Sequence, residues 1–169
     1  MIKPFNGKTP KVAVSAWISE SACVIGDVEI GEECCIFPGV VIRGDFAPIR
    51  IGDNTDIEDN SVLHVKSAMD IGKNVVIGHN TVVHCRRIGN NTMIGNNATV
   101  LDETEIGEKC VIAAGAVVTP GSQIPDESFV TGIPAQVKRK VNAAQADLVA
   151  EHYRYYTRDY KKLYKDWHI

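Results

Sequence analysis

The 169-residue chain has no apolar run of membrane-spanning length, no excess of basic charge, and no cysteine or histidine spacing of a zinc-finger or redox type. The first absence excludes a transmembrane helix, which needs about 20 apolar residues in succession. The opening stretch MIKPFNGKTPKV has no apolar core of the signal-peptide kind, so the expected compartment is the cytoplasm. Lys and Arg number 18 against 21 Asp and Glu, a net charge of −3. That balance argues against a nucleic-acid surface or a polybasic membrane patch. The cysteines, Cys23, Cys34, Cys35, Cys85 and Cys110, are odd in number and match no metal motif. In a reducing compartment they read as free thiols that fill small apolar spaces. Cys85 follows His84, but neighbours on a strand point to opposite sides, which argues against its joining that histidine on a metal.

What is present is a period of six. Ile, Leu or Val stands at Val12, Ile18, Val24, Ile30, Ile36 and Ile42, then at Ile51, Ile57 and Leu63, then at Ile71, Ile77 and Val83. The series ends with Ile88, Ile94, Val100, Ile106, Ile112, Val118, Ile124 and Val130. A step of six fits neither an α-helix nor a hairpin sheet; it fits a short strand and a tight turn, repeated. Three such units close one triangular coil, and stacked coils pair through their backbones as a parallel β-helix. The aliphatics then form ladders inside the prism. Small residues four positions on, such as Ala98, Cys110, Ala116 and Ser122, can also face in. The many Asn, Asp and Gly residues suit corners, where positive φ is common.

The series slips by nine residues at Ile42–Ile51, by eight at Leu63–Ile71 and by five at Val83–Ile88. Counting faces one, two and three from Val12, every slip falls at the corner after face three. These insertions are expected as small loops along one edge, and functional residues concentrate on such loops. From about Ala135 the period stops, and NAAQADLVAEHYRYYTRDYKKLYKDW has good helix formers without Gly or Pro. Leu148, His152, Tyr155 or Tyr156, Tyr160, Leu163 and Trp167 recur near helical spacing. The chain divides into a β-helix domain, residues 1–134, and a C-terminal helical segment, residues 135–169, packing on it.

Three of the five histidines fall within 21 residues: His64, His79 and His84. His64 and His84 each follow an inward aliphatic on face three, one coil apart, so both point outward and stack at about 4.8 Å. Arg43 shares their column one coil earlier. His79 lies at the corner after face two, with Asp59 in the same column below. His79 and His84 are separated by roughly 15 Å at strand rise. Zinc ligands sit at about 2.0–2.1 Å, so His79 of the same chain cannot join the other two on one ion. A site using all three takes the third from another copy, and a closed three-fold assembly suits that arrangement. Three histidines and an open fourth position are the chemistry of a catalytic site, where the ion acidifies water to a pKa of about 7. Fe²⁺ or Co²⁺ would serve as well as Zn²⁺.

The segments VIRGD, NTDIEDNSVLHV, IGHNTVVHC and GIPAQVKRKV resemble the γ-class carbonic anhydrases and their bacterial relatives over nearly the whole chain. The resemblance implies an all-β fold, a left-handed parallel β-helix with a C-terminal α-helix, assembled as a homotrimer. It implies one Zn²⁺, or Fe²⁺ or Co²⁺, per subunit interface, held by His64 and His84 of one subunit and His79 of the next. The implied activity is reversible hydration of CO₂ to bicarbonate. Arg43 and Asp45 would pair subunits and orient the anion; Glu58, Asp59 and Arg43 are the implied catalytic residues. The chain departs from the family pattern in three places. Glu58 stands where many members have Gln, the link VKSAMDIGKNVVIG after His64 is short with Asp70 as its acidic residue, and Cys85 replaces Gly. Two other readings share the fold. One is an acyltransferase using acyl-CoA, whose tail motif GIPA resembles but whose long histidine-bearing loop is absent. The other is a metal-binding trimer without catalysis.

Overall fold

The computed structural model describes residues 1–155, 159 and 161–164 of the chain. Residues 11–132 wind into a parallel β-solenoid of about seven turns, built mostly from two-residue strands. Hydrogen-bonded partners stack each inward aliphatic on its counterpart in the next coil. Face one runs Val12, Ile30, Ile51, Ile71, Ile88, Ile106, Ile124. Face two runs Ile18, Ile36, Ile57, Ile77, Ile94, Ile112, Val130. Face three runs Val24, Ile42, Leu63, Val83, Val100, Val118. From Val24 to Val118 every member of the series is at most 4% exposed. Val12, Ile18 and Ile124 are half-buried because the end coils lack a neighbour on one side. Each fully buried Ile, Leu or Val contributes about 1.5–3 kcal/mol.

Corner chemistry closes the coils. Asn54, Asn74 and Asn91 stack with φ of 55°, 56° and 58°. Glu33, Glu103, Glu127 and Lys109 take the same conformation, so the corners use more than Asn and Gly. Gly31, Gly52, Gly72, Gly89 and Gly107 follow the inward isoleucine of face one. A Cβ on Gly52 would lie 2.7 Å from the carbonyl of Gly72, closer than side chains tolerate. Buried hydroxyls complete the turns: Thr55 donates to the Gly72 carbonyl (3.0 Å) and Ser61 to that of Gly78 (2.7 Å).

The structure corrects the expectation of a loop at the first slip. Val41–Ile51 is one continuous strand that bends from face three to face one, paired with Cys23–Ile30. Register breaks between Gly26 and Val28, so the additional residues are absorbed as a bulge. The C-terminal segment also begins differently. Ala135–Lys140 is a strand that returns antiparallel on Ser128–Gly132, covering the edge of face two. Helix α1, Ala143–Arg154, follows. It opens on a capping box in which Asn142 Oδ1 accepts from the Gln145 amide (2.9 Å) and Gln145 Oε1 from that of Asn142 (3.3 Å). A further helical turn, α2, spans Lys161–Tyr164. On α1, Val149 is buried and His152 half-buried while Leu148 is exposed, so the buried stripe starts one residue later than the apolar spacing suggests. Tyr155 and Leu163 are exposed. Tyr156, Tyr160 and Trp167 lie outside the described residues.

No helix among the described residues is long and apolar enough to cross a membrane. Cys34, Cys35, Cys85 and Cys110 are buried and Cys23 is half-buried, all as free thiols. Burial pushes the thiols of Cys34 and Cys85 up to about 12, as fits inert fillers. Cys85 therefore belongs to the core.

Candidate metal centre

Face three carries the first half of the site. The column Arg43–His64 is in register, and the rings of His64 and His84 lie 5.1 Å apart, edge to face. A carboxylate engages each imidazole. His64 Nε2 is 2.9 Å from Asp45 Oδ1, and His84 Nδ1 is 3.3 Å from Asp102 Oδ1. Asp45 also accepts from Arg43 within the same chain. Burial pushes the Asp45 carboxyl up, but bonds from Arg43 and His64 outweigh it and hold the group below its usual range. Such a carboxylate fixes a histidine's tautomer and orientation. At His84 the engaged nitrogen is Nδ1, which leaves Nε2 available as a donor atom. Phe46, an exposed side chain of the bulged strand, lies 5.7 Å from the His64 ring.

The second half lies at the corner after face two. Gly78 precedes His79, and a Cβ there would lie 2.3 Å from Asn96 Oδ1. That oxygen accepts the His79 amide hydrogen at 3.1 Å, so the small residue and the amide acceptor together place His79. The ring meets two acids: Nδ1 is 3.1 Å from Asp59 Oδ2 and Nε2 is 3.2 Å from Glu58 Oε2. The expected stacking of His79 over Asp59 is thus a direct contact.

Among the described residues, His64, His79 and His84 of one chain do not converge; the donors that come within 4.8 Å of one another are those of Asp56, Glu58 and His152. Two imidazoles one coil apart, each backed by a carboxylate, fit two ligands of a divalent ion. His79 does not complete that set within its own chain.

Asp102, Asp56 and His152 are site residues that sequence reasoning did not single out. Asp102 lies in the coil above His84, two residues past Val100, and the coil register was a signal that could have found it. Asp56 and Glu58 flank the inward Ile57 and therefore point outward, yet both are buried, at 0% and 2% exposure. Cys35 and Val76, the partners of Asp56 in the same outward column, are also buried. Helix α1 lies over this face and brings His152 Nε2 to 2.8 Å from Glu58 Oε1 and 3.7 Å from Asp56 Oδ2. Burial pushes the Asp56 carboxyl up to about 8; His152 opposes that rise and Glu58 adds to it. Burial pulls His152 down, but the bond to Glu58 and the charges of Asp56 and Glu58 leave it raised.

The profile described as bacterial transferase hexapeptide (six repeats) matches residues 87–120. A carbonic anhydrase of Geobacillus kaustophilus is 52% identical over 60 residues, 36% of this chain and 33% of that protein. The match thus spans about a third of the curated relative. A hexapeptide transferase family protein from Anaplasma phagocytophilum superposes with a TM-score of 0.88 at 35% identity, covering 94% of this chain and 97% of its own. Perosamine N-acetyltransferase from Caulobacter crescentus, solved as a mutant with CoA and GDP-perosamine, aligns with a TM-score of 0.67 at 26% identity, over 76% of this chain and 58% of that one. A shared fold does not fix an activity, which resides in the site grafted on the coils. On near-complete coverage at 35% identity, the chain belongs to the hexapeptide-repeat family.

Proposed function

We propose that the protein is a γ-carbonic-anhydrase-like metalloprotein that hydrates CO₂ reversibly to bicarbonate at sites completed between the subunits of a homotrimer. The observation that carries this reading is the His64–His84 pair, with Asp45 and Asp102 behind it and His79 out of its reach in the same chain. The carbonic anhydrase of Geobacillus kaustophilus supports the reaction class. An exposed apolar strip supports the assembly. Val62 and Val82 stack beside the two histidines at 36% and 39% exposure, with Phe46 nearby at 74%.

In this reading His64 and His84 of one subunit and His79 of the next hold Zn²⁺, or Fe²⁺ or Co²⁺. When bound, the ion supplies a Lewis acid that ionises water near neutral pH. The chain's own residues do the rest. Asp45 and Asp102 orient the imidazoles. Arg43, half-exposed beside Asp45, offers its remaining guanidinium hydrogens to an anionic product. Asp59 orients the His79 ring through Nδ1, and Glu58 would yield Nε2 to the ion, which leaves Glu58 as the acid placed to accept a proton beside it.

Subunit complementation tests this. His79→Ala and His84→Ala chains each lack one of the three histidines at every site in their own homotrimers. Co-assembled, they form some interfaces with all three histidines. Metal content should fall by the interface equivalent and CO₂ hydration should be lost in each variant alone, and both should be partly restored in the mixture. A monomeric fraction that retains the metal lost in His84→Ala, or no restoration in mixed trimers, would overturn the reading. A second reading, acyl transfer from CoA, has the Caulobacter crescentus neighbour in its favour. Saturable acetyl-CoA binding without metal would support that reading instead.

A further inference from the structure

From the geometry of Asp56, Glu58 and His152 we infer a second divalent-metal site, contained within one chain and tying helix α1 to face two of the solenoid. The donors converge within 4.8 Å, with His152 Nε2 2.8 Å from Glu58 Oε1 and 3.7 Å from Asp56 Oδ2. Donors of a tetrahedral ion bound at about 2.0–2.2 Å lie roughly 3.3–3.6 Å apart, so small side-chain movements bring these three onto one ion.

A separate observation points to a missing partner. Asp56 is fully buried, and neither of its carboxylate oxygens has a hydrogen-bond partner. A buried carboxylate without a donor is costly and rare in folded proteins. It aims at the same point as Glu58 and His152. A divalent cation there balances two carboxylates around a neutral imidazole, so the cluster becomes neutral as a unit. One imidazole with two carboxylates favours Zn²⁺, Fe²⁺ or Mn²⁺ over Ca²⁺ or Mg²⁺, which prefer all-oxygen shells. His152 keeps part of its side-chain surface exposed. Glu58 reaches His79 through Oε2 and the inferred ion through Oε1, so a single carboxylate separates this site from the interface centre.

The inference does not depend on the trimer, because every ligand comes from one chain. The test is metal stoichiometry. The purified full-length protein is stripped with chelator, dialysed against zinc and then against zinc-free buffer, and its metal measured by mass spectrometry. Wild type should retain one equivalent per chain more than His152→Ala or Asp56→Asn, with circular dichroism showing all proteins folded. The same decrement should appear in a His84→Ala background, which separates this site from the interface site. Cobalt loading adds a second readout: His152→Ala should remove one set of visible absorption bands and leave the other. If His152→Ala and Asp56→Asn both retain the wild-type stoichiometry, the inference is wrong, whatever His84→Ala does. If His84→Ala has no effect while His152→Ala removes one equivalent, the second site stands and the interface reading falls.

Discussion

Asp56→Asn should make the metal-free protein more stable, by an amount that grows with pH. Burial lifts the folded-state pKa of Asp56 from 3.8 to about 8. A carboxyl raised in this way favours the folded state only while it is protonated. Its contribution is fully present below 3.8, falls as pH rises, and is gone once pH passes about 8. Each unit corresponds to 1.36 kcal/mol, so between about pH 5 and pH 8 the wild type should lose up to ~4 kcal/mol that the neutral amide keeps. For a chain of this length 1 kcal/mol moves Tm by about 2–4 °C, so the ceiling is ~8–16 °C. Relaxation and water entry around the charge lower it, since buried groups behave as though in an effective dielectric of about 20. A quarter of the ceiling, ~2–4 °C, is readily measured. Two neighbouring groups titrate against Asp56. Glu58 raises it, and His152, itself raised, opposes it and adds a loss of stability in the same direction as pH rises through its own folded pKa. The assay is calorimetry of both proteins in chelator across this range. A Tm difference between variant and wild type that stays flat with pH, or narrows as pH rises, would refute the reasoning.

Gly78→Ala should displace the Asn96 side chain, because its Cβ would fall 2.3 Å from Asn96 Oδ1 and the His79 amide would lose its acceptor. We expect a cost of ~1–3 kcal/mol in urea unfolding and weaker metal retention at the interface centre; an unchanged midpoint would show that Asn96 does not place His79. Of the five thiols, Cys23 alone should react quickly with a disulfide reagent in the native protein, and all should react in denaturant. Rapid native labelling of Cys85 would remove it from the core.

Helix α1 accounts for most of the difference between what was legible in the sequence and what was not. The six-residue step alone established the solenoid, the register of all three faces and the stacking of His64 under His84. A ladder of branched aliphatics has one way to bury itself, and each slip must fall at a corner to keep the register. The same count separated His79 from the other two histidines, since distance along a strand is a property of the backbone. Reading the first slip as a loop failed because glycines at 26 and 44 let a strand bend through the corner with a bulge, which hydrophobic spacing does not record.

Asp56 and Glu58 were readable only as outward positions, and strand alternation equates outward with solvated. That equation holds until another element covers the face. The helix binds face two from 94 residues away in the sequence, turns an outward column into an interior, and places His152 against the two acids. Periodicity determined which way each side chain points; tertiary packing alone decided which outward faces lose their water, because burial depends on what lies opposite a residue and not on its place in the repeat.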